Sequence, residues 1–304
     1  MMANYSRSPY YQTDKHARRT KSADRSGSVP SRDKYPASPQ NLPSEKLHKK
    51  LAQVGLGSRR EMEAMILDGK IEVNGKVATV GQRIGPQDRI YINRRPVKIN
   101  FDRPLPQVLL YYKPEGEIVS RHDPGGRPNV FQALPPVKGG KWIAIGRLDF
   151  NTSGLMLFTT NGELANFMMH PSHEVEREYA VRLIGNLTPS LIEKLCHEVL
   201  LEDGPAHFDT VTDKGGLGTN HWYHVSLKEG RNREVRRIFE AVGLAVSRLI
   251  RIKFGPIALP SRLKRGQYLD LGESDIRDLL RWAGFAMPDY TPQRNGEGTR
   301  HTRR

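Results

Sequence analysis

The stretch AIGRLDFNTSGLMLFTTNGELAN, residues 144–166, sets one carboxylate, Asp149, between an apolar run ending at Ile145 and another beginning near Leu155. The first run reads as a strand, and Asn151-Thr152-Ser153-Gly154 as the polar turn before the next one. Asp149 therefore falls in a strand-end loop. A carboxylate there serves as nucleophile or base, or it caps the N–H groups of its own turn; the local residues leave both open. Arg147 is a candidate contact for phosphate or an orienting charge for the loop, with a plain surface cation as the alternative.

A second group follows Asn232. At about 100° per residue, Val235, Ile238, Phe239 and Val242 share one helical face, Arg233, Arg237 and Glu240 lie nearly opposite, and Arg236 falls between. An arginine at the margin of a buried face can pair with an interior carboxylate through two parallel N–H donors. Arg231, Arg233 and Arg237 are then left for phosphate. The histidines offer less: His221 and His224 alternate to opposite sides of a strand-like run, which argues against a shared metal. The chain carries no Walker loop, Rossmann glycine fingerprint, H-E-x-x-H or G-x-S-x-G, so phosphoryl transfer, dinucleotide chemistry and serine hydrolysis lack their usual supports. One cysteine, Cys196, excludes an intrachain disulfide and a Cys-rich zinc site; it is expected on the apolar face of a helix.

The elements that must position these groups alternate along residues 105–285. Strands are predicted at 108–112, 142–145, 155–159, 179–184, 222–227 and 246–254, and helices near 163–169, 189–198, 233–242 and 274–283. Strands joined by short turns, with helices interspersed, imply an α+β domain on a mixed, largely antiparallel sheet. Residues 44–104 form a smaller module of two helices and a hairpin. Ser44 is expected to cap a helix carrying Leu47, Leu51 and Val54, which Gly55 stops. Ser58 and Glu61 make an S-x-x-E capping box for a second helix, and Asn74-Gly75 between alternating apolar residues marks the hairpin. Residues 1–43 read as a disordered basic arm and 286–304 as a basic tail.

Charge separates these regions. Of the net +15, residues 44–104 hold 13 basic and 7 acidic residues, whereas 105–285 hold 23 and 21. The surplus favours phosphate partners, nucleic acid first. Lys46, Lys49, Lys50, Arg59 and Arg60 cluster on or just before the two helices, where phosphate finds a helix N-terminus; a solvated charged face is the plainer alternative. No run of about 18 apolar residues and no signal-type apolar segment exists, so no membrane is expected as a partner and a cytoplasmic location is.

GLGSRREMEAMILDGKIEVNGKVA resembles the ribosomal-protein-S4-type RNA-binding module. GRLDFNTSGLMLFTTNGEL resembles the central motif of the pseudouridine synthases, in the branch that holds the ribosomal small-subunit synthase A and large-subunit synthase B. YYKPEGEIVS at 111–120, EREYAV at 176–181 and EGRNREVRRIFEAVGLAVSRLIRIKFG at 229–255 follow in that family's order, and TTNGELANFMMHPSHEVEREYAV leans toward the large-subunit side. The resemblance spans about residues 44–270.

It implies isomerisation of a uridine in ribosomal RNA, 23S rRNA or its large-subunit precursor, with no metal or organic cofactor, by a monomer. Asp149 matches the catalytic carboxylate, Arg236 its partner, and Tyr179 a tyrosine that stacks on the displaced uracil and is a candidate acceptor of the C5 proton. Leu249 matches a leucine that packs in the site, and Lys253, Arg147, Arg231 and Arg233 stand as substrate contacts. Lys49, Lys50, Arg59 and Arg60 stand as RNA contacts of the small module. The rival readings are a non-catalytic rRNA-binding ribosome-assembly factor and a base-releasing hydrolase using the same carboxylate.

Overall fold

The computed structural model describes residues 44–101, 105–137, 140–217 and 220–285; the expected arm and tail lie outside the described residues. The small module runs β1 (Glu45–Lys46), α1 (Leu47–Gln53), α2 (Arg59–Leu67), β2 (Ile71–Val73), β3 (Lys76–Val77), β4 (Arg83–Ile84), β5 (Ile90–Ile92) and β6 (Arg95–Val97). The capping box forms: the Glu61 N–H donates to Ser58 Oγ at 3.1 Å and the Glu61 carboxylate accepts the Ser58 N–H at 2.5 Å. Asn74 and Gly75 take φ of 53° and 78°, the double left-handed turn that closes a two-residue hairpin. Ser44 does not cap α1. Residues 45 and 46 are drawn into pairing with β4, Ser44 Oγ accepts from Arg83 Nε at 2.9 Å, and the Leu47 N–H donates to the Gln82 carbonyl. Leu47, Leu51, Met62, Ile66, Ile71, Val73, Ile84 and Ile90 pack the module's core.

The larger domain runs β7 (Val108–Lys113), β8 (Ile143–Ile145), β9 (Ser153–Thr159), α3 (Gly162–Met169), β10 (Arg177–Ile184), α4 (Pro189–His197), β11 (Val199–Leu201), β12 (Gly204–Ala206), β13 (Thr210–Leu217), β14 (Asn220–Leu227), α5 (Glu234–Glu240), β15 (Ala245–Phe254), β16 (Ile257–Ala258), β17 (Tyr268–Asp270) and α6 (Glu273–Trp282). Its central sheet has the order β13-β14-β10-β15-β9-β7-β17, with β8 on β9 and β16 on β15. Every pairing is antiparallel except β15 with β9, which meet in parallel only at Ile250–Ser153 and Arg251–Gly154. The sheet is thus two antiparallel halves joined at a short parallel seam. Gly154 permits that seam: at its φ of +112° a Cβ would lie 2.3 Å from the Arg251 carbonyl oxygen.

Each half has its own core. Val181, Leu183, Tyr223, Val225 and Leu249 meet Val235, Ile238 and Phe239 of α5 on one half, and α3 and α6 cover Leu110, Leu155 and Leu157 on the other. The seam falls between the two. Among the described residues no helix is long and apolar enough to cross a membrane.

Candidate active site

Asp149 lies on the loop from β8 to β9, at the seam. Leu148 beside it is buried and anchors the loop, Asp149 is half-buried, and Arg147 and Phe150 are exposed. Two buried cations fasten the loop by its backbone. Lys113, the last residue of β7, has no solvent exposure. Its Nζ donates to the carbonyls of Pro114 at 2.9 Å, Asp149 at 3.1 Å and Thr152 at 2.9 Å, which uses all three ammonium protons. Burial pulls its pKa down to about 8, against the attraction of Glu117, Asp149 and Glu115. Sequence reasoning assigned Lys113 no role; the signal was a lysine closing the apolar strand VLLYYK.

Arg236 holds the loop from the other side. Its Nη1 donates to the Val246 carbonyl at 2.9 Å and its Nη2 to the Asn151 carbonyl at 2.8 Å. The expected carboxylate–guanidinium pair is not formed: no ion pair within 4.0 Å joins Arg236 and Asp149, and the hydrogen bonds the terminal nitrogens make run to the backbone carbonyls of Val246 and Asn151. The two charges still feel each other. Burial and the neighbouring Arg233 hold the Arg236 pKa down, and Asp149 acts against them. Arg236 Nε, Thr152 Oγ1 and Ser153 Oγ are buried here with no hydrogen-bond partner among the described residues, an accumulation typical of sites kept for something other than stability.

Tyr179 reaches the same place from β10. Its Cα is opposite Arg251, and its side chain packs both against the cluster that holds Tyr111, Leu148 and Phe158 and against the α5-side core, so it sits across the seam. Arg251 is buried behind it, with Nε donating to the Leu155 carbonyl at 2.8 Å and the guanidinium 4.7 Å from the Phe254 ring centroid. Burial lowers the Arg251 pKa and its interaction with Tyr179 opposes that. Leu249 is buried in the α5-side core, opposite Val181.

The remaining candidates divide. Arg231 and Arg237 are not left for phosphate: Arg231 Nε lies 2.7 Å from Glu229 and 3.1 Å from Glu234, and Arg237 grips Asp203 at 2.8 and 2.9 Å. Arg231 is neutralised by its near neighbours Glu229 and Glu234, and Arg237 by Asp203, 34 residues away in sequence. Arg233 stays largely exposed at the start of α5, 3.7 Å from Glu240. Lys253 faces Glu176 at 3.6 Å and does not join Asp149. In the small module Lys50 is buried against Glu45 and the Phe101 ring, and Lys49 Nζ is 2.5 Å from Glu163 of α3, so neither is open to RNA. Arg59 and Arg60 remain exposed on the first turn of α2. His221 and His224 part, one to Asp213 at 2.6 Å and the other to Glu178 at 3.1 Å.

Residues 107–241 match the RNA pseudouridylate synthase family and residues 45–90 the S4 domain. Ribosomal large subunit pseudouridine synthase B of Pseudomonas aeruginosa is 47% identical over 88% of this chain and 71% of its own length. The protein of that name in Salmonella typhimurium is 54% identical over 78% of this chain and 84% of its own length. A crystal structure of a pseudouridylate synthase superposes with a TM-score of 0.54 at 26% identity, covering 77% of this chain and 99% of that one. With an S4 domain ahead of a seam that joins Asp149, Lys113, Arg236 and Tyr179, and with relatives this similar over most of its length, the chain belongs to the pseudouridine synthase family.

Proposed function

We propose that this protein isomerises a uridine to pseudouridine in large-subunit ribosomal RNA, with Asp149 as the catalytic carboxylate. The reaction breaks the bond between ribose C1′ and N1, turns the uracil, bonds C1′ to C5, and moves the C5 proton so that N1 ends protonated; composition is unchanged. A carboxylate suits it, since it can attack sugar or base, or take a sugar proton, and leave again without a cofactor. The observation that carries the reading is the half-buried Asp149 on a loop whose backbone carbonyls are fastened on both sides by the buried cations Lys113 and Arg236. Arg236 acts as a tether for that loop.

Tyr179 supplies the stacking face. Base–aromatic contact contributes about 1–3 kcal/mol, which offsets much of the few kcal/mol needed to take a nucleotide out of its stack. Arg147 in the loop and Arg233 at the start of α5, both exposed, are the phosphate contacts this reading retains. The S4 domain grips RNA while residues 105–285 carry out the chemistry, every group required belongs to one chain, and the substrate places the enzyme in the cytoplasm. The test is incubation of the purified protein with a large-subunit rRNA fragment, followed by nucleoside mass analysis. Pseudouridine at unchanged RNA mass is expected. Release of free uracil, or RNA that is bound and unaltered, overturns the reading in favour of a hydrolase or an assembly factor.

A further inference from the structure

The outward face of the small module's sheet carries a row that core packing does not use. Register sets Val77 opposite Glu72, Glu72 opposite Tyr91, and Tyr91 opposite Pro96, while Ile71, Val73, Ile90 and Ile92 on the alternate positions pack inward. Tyr91 lines an open cleft of ≈ 620 Å³ together with Glu72, Asn74, Gly75, Arg89 and Arg94. Arg89 lies just before β5, two residues from Tyr91, and Arg94 just after its other end, and both line the cleft. Both arginines are exposed and neither makes an ion pair among the described residues. On α1 the case is the reverse, since Lys49 is paired to Glu163 and Lys50 to Glu45.

The two hairpins of this sheet point to Arg94. Asn74-Gly75 and Asn93-Arg94 turn with the same double left-handed geometry, at φ of 53° and 78°, and of 48° and 64°. Such turns favour Asn-Gly, and glycine at the second position is unstrained. An arginine held there costs conformational energy that Gly75 avoids, and strain of this kind persists where the side chain serves a purpose. Here that side chain lines the cleft.

We propose that this face is a second RNA site, which takes an unpaired, guanine-bearing stretch of the substrate RNA; the inference rests on the reading of the protein as an RNA-modifying enzyme. The base stacks on Tyr91, Arg89 and Arg94 meet the flanking phosphates, and the Glu72 carboxylate accepts from the base's Watson–Crick edge. Guanine presents two adjacent N–H donors there, matching two carboxylate oxygens, whereas uracil presents one N–H between two carbonyls that repel it. A duplex hides those edges and offers Tyr91 no base face.

The experiment measures fluorescence anisotropy of the full chain with a labelled single-stranded decamer of alternating A and G and with a uridine decamer, alongside melting temperatures. Arg94→Gly is expected to melt no lower than the wild type, since it relieves the turn, yet to bind the AG decamer about fivefold more weakly. Its salt slope should fall by about 0.7, one phosphate contact on a single strand. Tyr91→Leu should weaken binding about tenfold and Tyr91→Phe should retain it, and Glu72→Gln should narrow the preference for AG over U. Wild-type affinity in both Arg94→Gly and Tyr91→Leu, or equal affinity of the wild type for the two decamers, overturns the proposal. These readouts are affinities, so failure here is distinct from failure of the enzymatic reading, which shows as a wild-type protein that makes no pseudouridine.

Discussion

The two sides of α5 hold arginines under opposite conditions. On the outer side, Arg231 and Arg237 are paired to Glu229, Glu234 and Asp203, so their charge is cancelled within hydrogen-bond distance. On the inner side Arg236, with Arg251 and Lys113 nearby in the seam, is buried and bonded chiefly to backbone carbonyls. Carbonyls satisfy N–H donors without neutralising the ion. Positive charge therefore survives in the interior beside Asp149 and is removed at the surface, where cations would otherwise be expected to serve RNA. The outer set braces the β11–β12 turn against α5; the inner set holds a loop in place and gives it a field.

If that contrast is real, removing an inner tether must affect the reaction and removing an outer pair must not. Arg236→Ala should lower the turnover rate by ~10²–10³ in protein that circular dichroism shows to be folded, with RNA affinity little changed. Arg236→Lys, which keeps the charge and loses the fork, should lose less. A folded Arg236→Ala enzyme at full rate breaks the comparison.

Lys113 sharpens it through pH. Its pKa in the folded protein is about 8 against an ordinary 10.5, so between those values the folded chain binds fewer protons than the unfolded one. Stability contributed by this group is therefore complete above the unfolded value and lost as pH falls through about 8. The neutral amine has only two protons for three carbonyls, so the loop loosens as pH rises through the same point. Turnover should fall above pH 8 while this group's effect on melting temperature runs upward, and Lys113→Met should lack both trends. A flat wild-type profile from pH 7 to 10 contradicts the tether.

Smaller effects follow at the seam and outside it. Tyr179→Leu should cost about 1–3 kcal/mol in kcat/KM, and Tyr179→Phe should keep most of the rate if stacking is the whole role. If the hydroxyl takes the C5 proton, Phe fails in turnover too and only Leu weakens binding. Arg237→Ala should cost no more than about 1 kcal/mol of stability and leave RNA affinity within twofold; a large loss of RNA binding would erase the distinction between the two sides.

Local pattern carried much of this in the sequence. The capping box at Ser58, the Asn74-Gly75 turn, the strands around Asp149 and the apolar face of α5 each depend on residues a few positions apart, and all stand in the structure. What periodicity does not reveal is where a long side chain ends. Arg237 meets Asp203, 34 residues away, and Lys113 meets Thr152, 39 residues away, so neither could be paired by spacing. Lys50 looked open and is buried for the same reason. Strand β13 escaped because it is a polar edge strand with a bulge between Asp213 and Gly216, and it lacks the alternation that burial imposes.

The central claim, that Asp149 is the catalytic carboxylate on a loop held in place by the interior cations, is tested most directly in cells lacking this protein. These are supplied with either the wild-type chain or Asp149→Asn at equal abundance, and pseudouridine is mapped across large-subunit rRNA. The expected result is one modified uridine restored by the wild type and absent with Asp149→Asn, which keeps the side-chain shape and loses the charge. Restoration of that pseudouridine by Asp149→Asn contradicts the account.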